Sequence, residues 1–141
     1  MLEEEVHRNG AFVLLHAHHL PKIRFEEPVL QRLEGDLWRL EVTVVNERAI
    51  PTMLAVARRD KLHRPDLATV EGARVVASGL VQDPWLEKVE LQKHRPERLM
   101  VPGVDGLSSR RLFFLLEGKG DVVVRYDSVK GGRIEREVRL P

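Results

Sequence analysis

The chain has 141 residues without a cysteine, and its 23 Lys and Arg residues nearly balance its 22 Asp and Glu residues. This length fits one domain with a hydrophobic core, and the lack of cysteine excludes disulfides, thiolate zinc ligands and cysteine nucleophiles. The near-neutral charge gives no electrostatic support for nucleic-acid binding, and no apolar run is long enough to span a membrane, so we expect a soluble domain.

Residues 2–20 carry the helical pattern of the sequence, in which apolar and small residues recur at steps of three and four. They are Val6, Gly10, Val13, Ala17 and Leu20. Pro21 ends this pattern. The acidic start, Glu3 to Glu5, is unlike a secretion signal, and any export signal of a parent protein is expected outside these residues. We predict that residues 1–20 form a helical linker and that residues 21–141 form one β-domain.

From residue 22 onward the apolar residues recur every second position. The clearest strand runs from Leu37 to Asn46, where Trp38 and the apolar residues that alternate after it face one way. Residues 23–33, interrupted by Pro28, suit an edge or bulged strand. The turn at Gly35 joins the two segments into a predicted hairpin.

Six further strands are predicted at Arg74–Ser78, Leu86–Gln92, Arg98–Val101, Arg111–Leu116, Asp121–Asp127 and Arg133–Leu140. Residues 51–59 could form a short helix or a strand followed by a loop; for residues 51–72 we favour a strand and then a loop. Residues 102–109 are predicted as a loop. Short strands at such intervals indicate an all-β fold. We therefore predict an antiparallel immunoglobulin/fibronectin-like β-sandwich with a short N-terminal helix.

Two histidines near the end of the helix are the first candidate metal ligands. His16 and His19 have helical spacing, and Glu26 or Glu27 could add a third ligand. A catalytic zinc needs three protein ligands and an open position, which this spacing does not require. We favour the alternative that these are exposed histidines at a helix C-terminus, where the helix dipole stabilises positive charge.

His94 is the third candidate, because His94 and Glu97 form a His-x-x-Glu pattern like that of zinc carboxypeptidases. Such a site also needs a later histidine, and none follows His94 in the sequence. The same spacing recurs at His63 and Asp66, so this composition produces it readily. We predict proline-containing turns at both places, no catalytic residue, and no metal or other cofactor in this chain.

Sugar-binding sandwiches use exposed aromatic rings as platforms. Trp38 and Tyr126 fall in core-facing positions of their predicted strands. Trp85, next to Pro84 in a predicted turn, is the remaining candidate for ligand binding.

Several segments resemble a known domain when they are taken in order. The strand Leu37–Asn46 followed by Ile50-Pro51-Thr52, then residues 114–120 and 127–132, are similar to segments of the C-terminal β-sandwich of bacterial zinc carboxypeptidases of the carboxypeptidase A-like family. The resemblance covers residues 20–141 and departs from the family pattern at Glu47-Arg48-Ala49. It implies an amino-terminal catalytic domain that holds zinc and the catalytic glutamate; none of those residues has a counterpart here.

The first hypothesis is thus a non-catalytic accessory domain whose partner is the catalytic domain of the same polypeptide, the zinc being held there. The alternative is a free-standing module that binds carbohydrate or protein. A third hypothesis is a small zinc hydrolase that uses His16, His19 or His94. Oligomeric state, compartment and the substrate of the parent stay open.

Overall fold

The computed structural model describes residues 2–83, 85–86 and 88–141. Helix α1 spans Leu2–His18 and the short helix α2 spans Ala55–Arg59. The strands are β1 (Ile23–Phe25), β2 (Val29–Arg32), β3 (Leu37–Asn46), β4 (Asp66–Glu71), β5 (Arg74–Asp83), β6 (Lys88–Leu91), β7 (Arg98–Val101), β8 (Ser108–Glu117), β9 (Gly120–Ser128) and β10 (Gly132–Leu140). Among the described residues, no helix has the length and hydropathy needed to cross a bilayer.

The strands form two antiparallel sheets. One has the order β1-β3-β8-β5-β6, with β2 also paired to β3, and the other has the order β10-β9-β4-β7. All the strand pairs are antiparallel. The predicted fold class, an antiparallel immunoglobulin/fibronectin-like β-sandwich with a short N-terminal helix, is confirmed.

Alternating side chains of the central strands fill the space between the sheets. Every second residue of β3 is buried, from Trp38 to Asn46, and the same alternation continues in β8 and β9. Phe114 and Tyr126 are the largest fully buried side chains of the core. The alternation that predicted these strands therefore arises because successive side chains point to opposite faces of a sheet, one towards the core and one away from it.

The hairpin at the start of the domain also agrees with prediction. The interrupted segment 23–33 forms β1 and β2 on either side of Pro28, and both pair with β3. The predicted strand at 86–92 corresponds to β6, although Glu87 lies outside the described residues.

The prediction for residues 51–72 was wrong. Residues 55–59 form α2 and residues 66–71 form β4, where we predicted a strand and then a loop. Ala57 is the buried residue of α2. In β4 the inward positions are occupied by Asp66, Ala68 and Val70, so a buried acid and a small residue hide the apolar alternation. The predicted loop at 102–109 is also two residues too long, because β8 begins at Ser108.

Candidate functional site

The turn after β3 is organised by the buried side chain of Asn46. Its Nδ2 donates to the carbonyl of Ile50 at 2.8 Å. Its Oδ1 accepts from the backbone N–H groups of Arg48 at 3.1 Å and Lys22 at 3.3 Å. The Asn46 side chain thus bonds backbone groups at the point where strand pairing ends, and it holds residues 46–50 in place.

Next to this turn lies a buried polar cluster made of Thr52, Asp66 and Tyr126. The hydroxyls of Tyr126 and Thr52 both donate to Asp66 Oδ2, at 2.7 and 2.8 Å, and Thr52 Oγ1 accepts from the backbone N–H of Val104 at 2.8 Å. Asp66 Oδ1 has no hydrogen-bond partner in the described part of the chain. Burial first, and the charge of Asp66 second, raise the pKa of Tyr126. The cluster joins β4, β9 and two loops.

The end of α1 is attached to the turn that Asn46 organises. The backbone N–H of Ile50 donates to the carbonyl of His19 at 3.1 Å. Arg48 Nη1 donates to His18 Nε2 at 2.9 Å. These two bonds fix the position at which the helix leaves the sandwich.

The rest of α1 lies in solvent, since the helix has no buried residue. Its large apolar side chains are more than half exposed: Leu2 74%, Val6 61%, Phe12 69%, Val13 63%, Leu14 73% and Leu15 57%. Single exposed apolar residues are ordinary on a protein surface, but a group of this size on one element indicates a contact site.

A second apolar side chain is exposed beside the attachment point. Leu107 is 74% exposed and has a φ of 51°, in the left-handed region. Its N–H donates to the carbonyl of Arg48 at 2.7 Å. Gly106 lets the chain approach that closely, because a Cβ there would overlap the carbonyl oxygen of Ala49.

The structure places His16 and His19 at the end of α1. The His16 ring stacks on Phe12, with centroids 6.3 Å apart, and the His19 ring lies edge-on to His18 at 5.3 Å. Glu27 pairs with Arg136 at 2.5 Å. No three of the described His, Asp and Glu side chains form a group that could hold a metal ion. The expectation that this chain holds no cofactor stays a prediction.

His94 lies in the turn between β6 and β7. It lines a surface groove of about 320 Å³ together with Leu67, Gln92, Arg95, Arg98 and Met100, whereas Glu97 lines a different groove.

Gln92, which sequence reasoning did not single out, is the polar centre of that turn. Its Nε2 lies 2.7 to 2.9 Å from the carbonyl oxygens of His94, Arg95 and Arg98, so its two hydrogens are shared among three acceptors. Its Oε1 accepts from the N–H of Met100 at 2.8 Å. The Gln92 side chain therefore hydrogen-bonds backbone groups of β7 on the side where no further strand pairs with it.

Trp85 is 94% exposed at the tip of the β5–β6 hairpin. Asp83 Oδ1 accepts from the backbone N–H groups of Trp85 at 2.9 Å and Leu86 at 3.4 Å, while Pro84 lies outside the described residues. Trp38 and Tyr126 are buried, as their registers predicted.

A family model described as Domain of unknown function (DUF8731) matches residues 22–139. The chain belongs to the DUF8731 family. In this DUF8731 domain the matched residues begin after α1, so the helix lies outside the family match and the turn to which it is attached lies inside.

No curated protein is significantly similar to the DUF8731 domain. Among solved structures, DesR, a β-glucosidase from Streptomyces venezuelae in complex with D-glucose, is similar over 86% of this chain at 12% identity and a TM-score of 0.33. The DUF8731 domain spans 15% of that enzyme, and a TM-score this low carries no argument. Neither match tests the carboxypeptidase resemblance, which stays a prediction.

Proposed function

We propose that the DUF8731 domain is a non-catalytic accessory domain of a zinc-dependent carboxypeptidase-like protein, and that it packs against or positions the catalytic domain of the same polypeptide. The ordered resemblance of residues 37–52, 114–120 and 127–132 supports this family of parent proteins. The two matches described above do not bear on it.

The observation that carries the proposal is the exposure of α1. A helix of 17 residues without a buried side chain has no packing partner among the described residues of the sandwich, and isolated helices of this length are marginal in water. Burying one large apolar side chain contributes about 1.5–3 kcal/mol, so a partner that covers Phe12, Leu14 and Leu15 would bind the helix and stabilise it.

Several polar side chains of the domain form contacts within the fold. Asp66 accepts hydrogen bonds from Thr52 and Tyr126 inside the sandwich, and Arg125 pairs with Glu71 and Glu135 on the surface. These contacts support an accessory role, because they hold loops and strands in place.

Two measurements test the proposal. The gene sequence on the 5′ side of the first codon should encode a domain with His-x-x-Glu and a later histidine, and its absence would contradict the proposal. Elemental analysis should then find zinc in the parent protein and less than about half a zinc per chain in the 141-residue chain. Stoichiometric zinc in the 141-residue chain would favour a hydrolase that uses His16, His19 or His94.

A second candidate function, recognition of carbohydrate, is favoured by the geometry of Trp85. Its ring is exposed, and the Asp83 carboxylate holds the backbone that presents it. Binding to a cell-wall polysaccharide array should then be lost on Trp85→Ala and kept on Trp85→Phe, which retains an aromatic platform. No binding by the unsubstituted chain would contradict this function.

A further inference from the structure

We propose that the cleft between the edges of the two sheets binds a small aliphatic acid, and that Arg110 is the residue that receives its carboxylate. This inter-sheet cleft has a volume of about 340 Å³, and small-molecule sites span about 300–1,000 Å³. Strands β5, β6 and β8 of one sheet and β7 of the other line it. Its lining includes Leu80, Gln82, Glu90, Leu91, Leu99 and Arg110. The inference goes beyond the proposed function and does not rest on it.

The side chain of Arg110 points to the inner side of its sheet. Arg110 is paired with the fully buried Val44, and residues directly opposite each other in an antiparallel pair lie on the same face. Leu112, two residues further along β8, is buried as well. Burial first, and then the charge of Asp66, raise the pKa of Tyr126, whereas the positive charge of Arg110 acts in the opposite direction. The guanidinium is thus a cation on the core side of β8.

This cation is not neutralised within the described part of the chain. Arg110 is half-buried, and among residues 2–83, 85–86 and 88–141 its guanidinium forms neither an ion pair nor a hydrogen bond. The next residue, Arg111, points to the other face and lies 3.8 Å from Glu41. A charge that is partly removed from water favours a counterion, and a guanidinium can bind both oxygens of one carboxylate. Arg110 therefore fits an anionic ligand.

Apolar side chains form the walls of the inter-sheet cleft beside Arg110. Leu80 of β5 is paired with the buried Leu112, so it lies on the core side of the sheet. Leu99 of β7 is buried on the facing sheet, and Leu91 of β6 is more than half exposed. An aliphatic chain that covers these residues would be held by the hydrophobic effect. The cleft thus combines apolar walls with one cation, as ligand sites commonly do.

Glu90 limits the ligand to one carboxylate. It is paired with Leu80 and so shares the inner face of the sheet, and its Oε2 accepts from Gln82 Nε2 at 2.7 Å. Strand β5 lies between Glu90 and Arg110, so the two backbones are about two strand spacings apart, roughly 10 Å. A second carboxylate on the ligand would meet the like charge of Glu90. The cleft therefore favours a monocarboxylate over a dicarboxylate.

The test is calorimetric titration of the 141-residue chain with three six-carbon probes. Hexanoate carries one carboxylate, hexanamide has the same shape without the charge, and adipate carries a carboxylate at each end. We expect hexanoate to bind at least about tenfold more tightly than hexanamide, because charge-assisted hydrogen bonds are the stronger ones. Adipate should bind more weakly than hexanoate.

Substitutions assign the two ends of the cleft. Arg110→Gln should weaken hexanoate binding by about tenfold, and Arg110→Lys should weaken it less, because lysine keeps the charge but not the planar fork. Arg111→Gln is the matched control, since Arg111 is the neighbouring arginine on the opposite face, and it should leave the affinity for hexanoate within about twofold. Glu90→Gln should narrow the difference between adipate and hexanoate. Circular dichroism checks that each variant is folded.

Three outcomes would overturn the inference. No binding of hexanoate by the unsubstituted chain would exclude the site. Equal affinities for hexanoate and hexanamide would show that the carboxylate is not recognised, and this result needs no variant. Equal losses on Arg110→Gln and Arg111→Gln would exclude Arg110 as the specific partner. None of these outcomes depends on which domain the parent gene encodes, so the proposed function stands or fails separately.

Discussion

The hydroxyl of Tyr126 lies inside the sandwich and donates to Asp66 Oδ2 at 2.7 Å. Removing this proton would leave a phenolate and a carboxylate in contact without water. For that reason burial and the neighbouring charge both raise the pKa of Tyr126. The proton is held more tightly in the folded chain than in the unfolded chain.

The first prediction follows from the fact that Tyr126 is the one tyrosine of the sequence. Phenolate absorbance therefore reports on this residue alone, and we expect it to stay constant in alkali until the chain unfolds. In the chain unfolded by guanidinium, Tyr126 should titrate with the ordinary pKa of tyrosine, about 10. Reversible titration near this pH with the fold intact would contradict the structure.

The same pKa shift predicts the direction of the stability change. Above about pH 10 the unfolded chain releases the proton of Tyr126 while the folded chain retains it. The contribution of this group to the free energy of unfolding is thus complete below that pH and falls as the pH rises further. Urea unfolding at a series of alkaline pH values measures how steeply the free energy of unfolding falls with pH. The Tyr126→Phe variant should show a less steep fall.

At the scale of elements, β6 and β7 are neighbouring edge strands of different sheets, and Gln92 lies at the turn between them. Free strand edges are sites of unwanted pairing between chains. The Gln92 amide hydrogen-bonds the N–H of Met100 and the carbonyl of Arg98, so these groups of the β7 edge are not available to pair with another strand.

The second prediction concerns Gln92→Glu. The carboxylate keeps the shape of the side chain but cannot donate to the three carbonyls that Gln92 Nε2 contacts. We expect a loss of about 1–2 kcal/mol in the free energy of unfolding, measured in urea at neutral pH. Gln31→Glu on β2, where the residue is exposed, should change it by less than about 0.5 kcal/mol. Equal effects of the two substitutions would contradict the role of Gln92.

At the scale of the whole molecule, α1 and the sandwich are expected to behave as separate units, because no residue of α1 is buried. The third prediction is that Gly10→Ala increases the helicity of the chain without changing the unfolding midpoint of the sandwich. Alanine is favoured over glycine in a helix by about 1 kcal/mol, and a Cβ at Gly10 meets no atom within 4 Å. Circular dichroism measures the helicity and tryptophan fluorescence follows the unfolding of the sandwich.

Gly79→Ala is the control within the sandwich. Gly79 pairs with Leu91, and a Cβ there would overlap the carbonyl of Glu90. This substitution should lower the unfolding midpoint and leave the helicity of α1 unchanged. A midpoint that moves with Gly10→Ala would show that α1 and the sandwich are coupled.

The β-sandwich and the N-terminal helix were predictable from local patterns in the amino-acid sequence. Alternation from Trp38 to Asn46 and the helical spacing before Pro21 are local signals, since the period of each element follows from its own backbone geometry. The hairpin glycines and the core positions of Trp38 and Tyr126 were predicted for the same reason.

Only the tertiary structure decided the features whose partners are distant in sequence. Asp66 occupies an inward position of β4, where Tyr126, which is 60 residues away, donates to its Oδ2. An acid at that position conceals the strand from any pattern of apolar residues. Gln92 likewise makes its contacts with backbone groups of the turn that follows it, and its side-chain chemistry does not reveal them in advance. Long-range hydrogen bonds are made by the folded chain, and for this reason local periodicity predicted the strands but not the polar contacts that join them.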